Sequence, residues 1–424
     1  MKSLGAYQRN IAILSAGTIA AQAIPVAAAP VLTRLFSPED FGIFALYVSI
    51  ASIVSVIATG RYELAIMLPA DEKDAVTLTG LSMMTAILVS LLVLVSVSVF
   101  GATVAISIGH SEIVYWLYLI PLSVFFAGAY QSLNTWYNRQ QQYRKMAIAK
   151  TTQSFAASMI QIVTGLAGAA AGGLIGGRIA GQGASIWYYS RQLLSDGTFS
   201  VEVFGKERLM HLARTYASFP KYDILASLLN ALSQYLPLIL FGVFMKTVAV
   251  SGFYFLVQRV LGAPMAMVSE AVLSVYREEA SREFNEMGGC PESYMKTLRL
   301  LVTLALLPFT LLLMFGEEIF IWVFGEEWKM AGEIARILAP VFFLRFIASP
   351  LSYVLYIVGS QKLNLMGQSV MLAAVVGSFA VGFYMNDIYV TLYALSGSLT
   401  SVYACYIGIS YHKAKIGHGR TTRI

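Results

Sequence analysis

The chain has 424 residues, of which 57% are hydrophobic and only 12% charged, whereas soluble domains carry about 45–50% and about 25%. A water-soluble fold of this length cannot cover its surface with so few charges, so the composition points to a polytopic helical membrane protein. The net charge of +6, from 29 Lys and Arg against 23 Asp and Glu, would suit a nucleic-acid binder only with a basic soluble domain. The sequence contains none, and nucleic acid is excluded as a partner.

Apolar runs bounded by charge, Gly or Pro predict twelve membrane helices. The first six lie near 10–33, 41–60, 75–100, 113–136, 148–171 and 173–193. The second six lie near 223–245, 249–275, 294–316, 333–357, 364–384 and 389–410. The N-terminus imitates a signal peptide, with Lys2, Arg9, an apolar run from Ile11 and small residues at Ala27, Ala28 and Ala29. Pro30 follows those small residues directly, so the segment reads as the first membrane helix. Ser37-Pro38-Glu39-Asp40 predicts a tight turn before the second helix, and Gly172-Gly173 one between the fifth and sixth. The overlapping patterns Gly168, Gly172, Gly176 and Gly173, Gly177, Gly181 predict close packing of those two helices.

With the N-terminus inside, 22 of the 29 cations fall in cytoplasmic segments and four outside, at Arg34, Lys246, Lys329 and Arg336. That asymmetry orients the chain and places both termini in the cytoplasm. The segment 194–222 is the longest soluble stretch. It separates two sets of six helices, giving expected bundles of residues 1–200 and 201–424. Phe41-Gly42-Ile43-Phe44-Ala45-Leu46 opens the second helix and Ser251-Gly252-Phe253-Tyr254-Phe255-Leu256 the eighth, a faint repeat at an offset of 210. Halves in the same orientation are related by an axis along the membrane normal.

No enzyme or metal signature is present: there is no HExxH, no phosphate-binding P-loop and no CxxC. Cys290 and Cys405 read as small apolar residues. His110, His211, His412 and His418 read as solvated side chains. No cofactor, metal or catalytic residue is expected. Trp116, Trp136, Trp187, Trp322 and Trp328 fit aromatic belts, and the segment Phe320–Trp328 fits a loop along the outer interface.

The three remaining cations, Arg178, Arg259 and Arg345, lie within predicted helices. Each costs about 2.5–3.5 kcal/mol near mid-bilayer, so each should face a cavity or an acidic partner. Glu270 follows Arg259 by eleven residues, which on an ideal helix is the same face within about 20°. Arg61 and Glu63 end the second helix, while Lys221 and Asp223 begin the seventh. A cationic central cavity is one reading of these charges; snorkelling or internal ion pairing is the other.

Several stretches resemble the Wzx-type polysaccharide (O-antigen) flippases of the multidrug/oligosaccharidyl-lipid/polysaccharide exporter superfamily. They are Leu32-Thr33-Arg34-Leu35-Phe36-Ser37-Pro38-Glu39-Asp40-Phe41-Gly42, Arg61-Tyr62-Glu63-Leu64-Ala65-Ile66-Met67-Leu68-Pro69 and Trp136-Tyr137-Asn138-Arg139, with Phe219-Pro220-Lys221-Tyr222 and Phe324-Gly325-Glu326-Glu327-Trp328-Lys329-Met330-Ala331-Gly332. The resemblance runs nearly end to end. It implies an all-α, MATE-like fold of two six-helix bundles facing each other in a V around a cationic cavity. It also implies transfer of undecaprenyl-diphosphate-linked oligosaccharide from the cytoplasmic to the periplasmic leaflet of the bacterial inner membrane. A polysaccharide polymerase and a chain-length regulator are then candidate partners, besides the bilayer and the lipid-linked substrate. On this reading Arg61, Arg259, Arg178, Arg345 and Lys221 contact the substrate, Arg61 and Arg259 its diphosphate, while Glu63, Glu270 and Asp223 balance charge or carry a proton. Arg61, Glu63 and Arg259 fall on matching motifs; Arg178 and Arg345 rest on burial cost. A cation-coupled multidrug antiporter would share the architecture but calls for acidic cavity residues. A membrane glycan polymerase or ligase calls for a large external loop, and the longest external segment, about 316–333, is short.

Overall fold

The computed structural model describes residues 2–109, 112–196, 205–244 and 247–415; His110, Lys246 and His418 lie outside them. The described residues are helical and contain no strand. Met1–Phe255 and Leu256–Ile424 form two compact units.

The first unit holds α1 (Lys2–Leu35), α2 (Pro38–Ser55), α3 (Glu72–Ile108), the short α4 (Ile113–Leu117), α5 (Ile120–Arg139), α6 (Tyr143–Leu166), α7 (Ala170–Asp196), α8 (Lys206–Thr215) and α9 (Ile224–Phe244). Helix α10 (Ala249–Met287) begins in it and continues into the second unit. There it is followed by α11 (Pro291–Phe324), α12 (Lys329–Leu351), the short α13 (Val354–Ile357), α14 (Gln361–Met385) and α15 (Ile388–Lys415). A long helix falls on each of the twelve predicted runs, which establishes an all-α, multi-pass membrane protein. Among the described residues, ten spans meet the length and hydropathy that crossing a bilayer requires. The other two helices, α6 and α7, are long enough but carry Thr, Gln, Ser and Gly where the rest carry Leu and Val.

Local chemistry sets the helix ends. Ser37 caps α2: its hydroxyl accepts from the Asp40 amide at 3.2 Å, and the Asp40 carboxylate accepts from the Ser37 amide at 3.0 Å, a reciprocal capping box with Pro38 in the first turn. The predicted turn at Gly172-Gly173 is corrected. The chain turns at Gly168, whose φ of +75° suits glycine, and the later glycines lie inside α7. The expected outer loop is also corrected, because α11 continues through Phe324 after a non-helical residue at Phe315. Trp322 is exposed, but Trp328 is wholly buried in a 3-10 turn, and Trp136 is buried in the first unit. Those two tryptophans are core anchors, not interfacial belts.

Helix α6 packs between α1 and α7, and α5 contacts α2, α3 and α7. Only one of the two glycine stripes makes the α6–α7 contact. A Cβ on Gly177 would sit 2.9 Å from the Ala157 carbonyl oxygen, and one on Gly181 2.7 Å from the Ala157 side chain. Gly172 instead faces the Trp116 ring, and Gly176 faces open space. The two segments matched at an offset of 210 lie against each other. A Cβ on Gly252 would overlap the Pro38 carbonyl oxygen and come 2.8 Å from the Gly42 amide, while one on Gly42 would overlap Val248. Only backbone without side chains allows that approach.

Inside the segment expected to be soluble, α8 is an amphipathic helix docked on the first unit. Leu212 enters a cluster with Ala75, Leu78 and Trp136, and the Tyr62 hydroxyl donates to the Ala213 carbonyl at 3.2 Å. Arg208 straddles the start of α3, with Nε 2.6 Å from Asp74 and Nη2 2.5 Å from Asp71. The Lys73 amide, and then Arg208, hold the Asp71 carboxyl below its usual range. A carboxylate with a lowered folded pKa contributes its stability above the unfolded value and loses it as the pH falls through the folded one.

Two outcomes follow from this packing. Gly177→Ala should destabilise the α6–α7 contact by roughly 1–3 kcal/mol and lower the melting temperature of the detergent-purified protein. Gly176→Ala should leave that temperature unchanged; equal shifts would rule out the packing role of the stripe. Arg208→Ala should release α8 and speed limited proteolysis within Lys206–Thr215 several-fold. In the native protein protection should be flat from pH 8 to pH 5 and start to fall only below about pH 4.

Candidate functional site

Three of the sequence motifs converge at one end of the first unit. After α2 the chain passes through Gly60 and Arg61, both left-handed with φ of +60° and +62°, into a 3-10 turn at Tyr62–Met67. A non-glycine residue there costs of order 1–3 kcal/mol and persists only where its surroundings hold it. Arg61 is held by two carboxylates: Nη1 lies 3.2 Å from Glu63 and Nε 2.6 Å from Asp223. Glu63 is buried and also accepts from the Thr59 hydroxyl. Ser227 donates to the same Asp223 oxygen at 3.3 Å. Arg139, from the Trp136–Arg139 motif, donates to the carbonyls of Ile66 at 2.9 Å and Pro69 at 2.6 Å. Trp136, Tyr137, Ala65 and Ile66 share one apolar cluster, and Phe219 packs against it.

The structure thus joins Arg61, Glu63 and Asp223 into one ion-paired group that ties the 3-10 turn to the start of α9. Lys221 does not join it. Its side chain is exposed, with the ammonium 5.2 Å from the centre of the Tyr222 ring.

Arg178 is placed differently. On α7, its Nε is buried with no hydrogen-bond partner, and its electrostatic neighbours are the phenols Tyr47 and Tyr235. One turn further along α7, the buried Gln182 accepts from Ser123 at 3.0 Å, and Ser123 meets the Tyr47 hydroxyl at 2.7 Å. This seam of α2, α5 and α7 side chains was not singled out from sequence. Its only signal is the presence of Gln and Ser at positions of otherwise apolar helices.

In the second unit Arg345 is half-buried on α12, beside the Tyr403 phenol of α15. Arg259 is half-buried on α10, and Glu270 is exposed on the same helix beyond Pro264. Among the described residues no group of three His, Cys, Asp or Glu is placed to hold a metal ion.

The profile of a family described as "Polysaccharide biosynthesis protein" matches residues 31–333. No curated protein sequence matches the chain significantly. Among solved structures, the chain is similar to the lipid II flippase MurJ in an inward closed conformation, with a TM-score of 0.73 at 11% identity over 94% of this chain and 87% of that one. It is also similar to an inward-facing multidrug resistance MATE family transporter of the MOP superfamily, with a TM-score of 0.65 at 14% identity over 92% of this chain and 93% of that one. A MOP superfamily transporter from Pyrococcus furiosus gives 0.59 at 13% identity over 96% and 95%. At such identities these likenesses establish fold alone. The family match spans most of the sequence and agrees with the motifs that meet around Arg61: the chain belongs to the polysaccharide biosynthesis protein family, with the fold of the MOP superfamily transporters.

Proposed function

We propose that this protein moves undecaprenyl-diphosphate-linked oligosaccharide from the cytoplasmic to the periplasmic leaflet of the bacterial inner membrane by alternating access. The observation that carries the reading is Arg178, in a membrane helix, whose Nε is buried without a hydrogen-bond partner and whose electrostatic neighbours are phenols. An arginine without a counter-ion is costly in hydrocarbon and marks a place where an anion can dock. A lipid diphosphate carries about two negative charges, and guanidinium groups offset its desolvation in the bilayer. A cytoplasm-negative potential then favours outward movement by about 2.3 kcal/mol per charge per 100 mV.

In this reading Arg178, Arg259 and Arg345 contact the substrate, and Arg61 and Lys221 stand where its charged head enters. Glu63 and Asp223 balance Arg61 until the substrate arrives, and Glu270 balances Arg259. The bundles expected at residues 1–200 and 201–424 are the proposed moving parts, with α8 and α9 packed in the first compact unit. The charge asymmetry supports cytoplasmic termini, and a polymerase and chain-length regulator would act on the product.

One observation favours a second reading, a cation-coupled multidrug antiporter: Glu63 is a buried carboxylate of the kind that proton coupling uses. Its pairing with Arg61 weakens that role. Purified protein should bind labelled lipid-linked oligosaccharide in preference to a cationic dye; the reverse preference would establish the antiporter.

Arg178→Gln and Arg259→Gln should each lower polysaccharide export at least tenfold in a strain lacking its own flippase, at unchanged protein level in the membrane. The Lys variants should keep part of the activity. Full export by both Gln variants would refute the assignment. Arg61→Asp leaves Glu63 and Asp223 without a counter-charge and should destabilise the protein by roughly 3–5 kcal/mol. The swap Arg61→Asp with Asp223→Arg should recover the lost melting temperature. It should not recover export if Arg61 also meets the substrate; recovery of both would confine Arg61 to a structural tie.

A further inference from the structure

The hairpin of α10 and α11 encloses a groove of about 260 Å³ in the second unit. Its walls include Val272, Val275 and Tyr276 from α10 and Leu300 from α11, and Glu279 and Lys296 also line it. Val275 and Leu300 are 58% and 48% exposed, so the groove opens on the outer surface of the helix pair. The Lys296 ammonium lies 3.0 Å from both Glu279 carboxylate oxygens. Tyr276 is 1% exposed, and its hydroxyl has no hydrogen-bond partner.

The charges have a fixed place along this groove. Glu279 lies one helical turn beyond Val275, and Lys296 one turn before Leu300, so on both antiparallel helices the charged residue is nearer the hairpin tip at 288–290. Helices of 39 and 34 residues exceed the roughly 20 needed to cross the hydrocarbon, and the tip projects beyond it. The apolar runs end near 275 and begin near 294, which puts Glu279 and Lys296 at headgroup depth and Val272, Val275 and Leu300 among acyl chains. A groove apolar at chain depth and doubly charged at headgroup depth has the polarity profile of one lipid molecule.

We propose that this groove binds one zwitterionic phospholipid, in the leaflet on the face that the charge count assigns to the cytoplasm. The lipid phosphate takes the place of Glu279 on Lys296, and its ammonium takes the place of Lys296 on Glu279. Each member of an exposed and therefore weak ion pair exchanges its partner for one on the lipid. An acyl chain fills the apolar part, against Val272, Val275 and Leu300. A purely anionic head is disfavoured because Glu279 would face it, and a diphosphate head more so. The site is independent of the transported substrate.

The test is native mass spectrometry of the full chain released from nanodiscs of equimolar phosphatidylethanolamine and phosphatidylglycerol. One phosphatidylethanolamine per chain should be retained. Retention should fall at least tenfold in Lys296→Ala and in Val275→Trp, which fills the groove, but not in Val268→Trp on the same helix outside it. Glu279→Gln should turn the preference toward phosphatidylglycerol. The export-deficient Arg178→Gln protein should retain the lipid as the native protein does, which separates failure of this site from failure of the transport reading. Equal retention of both lipids by the native protein, or retention indifferent to Val275→Trp, would overturn the proposal.

Discussion

A polar group inside hydrocarbon must find its partner within the protein, because the bilayer core has no water to supply one. Helices satisfy the backbone by themselves. Hydroxyl side chains do so by bonding one turn back, as Ser49 does to Ala45, Ser55 to Ala51 and Thr79 to Ala75. Glutamines reach further, as when Gln161 donates to the Leu174 carbonyl at 2.9 Å between α6 and α7. Against that background the charged groups sort into two kinds. Arg61 and Glu63 are satisfied by each other and by neighbours, whereas the Arg178 Nε is satisfied by nothing in the described protein.

The motifs that carry the family resemblance are better explained by architecture than by chemistry. The Gly60–Pro69 stretch must turn left-handed twice and run as a 3-10 turn, and the carbonyls it strands at Ile66 and Pro69 are taken up by Arg139. Phe219 seals the same cluster, and Asp223 closes the ion pair. Three distant stretches therefore depend on one another, and a change in any of them leaves a buried donor, acceptor or charge without its partner. The contact of Gly42 with Val248 and of Gly252 with Pro38 works similarly. It requires the absence of a side chain at two positions of a repeat that is otherwise almost invisible in sequence.

Element existence was legible because twenty apolar residues in a row have few alternatives. Burial was less so. A tryptophan near a helix end reads identically whether it is exposed, as Trp322 and Trp187 are, or in the core, as Trp136 and Trp328 are. Only the packing of distant segments decides between them. The pairing of Arg61 with Asp223 spans 162 residues and has no local signature. Arg178 was legible for the opposite reason, since the cost of a charge in a membrane helix is a property of that helix alone. The docked face of α8 was hidden by its high charge, although Arg208 proves to be the residue that fastens it.

The identity of the groups around Arg178 bears on what it can do. A carboxylate neighbour would cancel its charge, and an incoming anion would then have to displace a fixed partner, as it would at Arg61. Tyr47 and Tyr235 are phenols, not carboxylates. They leave its positive charge available while offering it their dipoles. The seam from Tyr47 through Ser123 to Gln182 fixes one of those phenols by hydrogen bonds of its own, which gives the proposed anion site an ordered surrounding. An anion leaving such a site gives up one charge contact and no rebuilt salt bridge. Binding of that strength suits the proposed release on the far side, and it separates the role proposed for Arg178 from the ion pairs that Arg61 already makes.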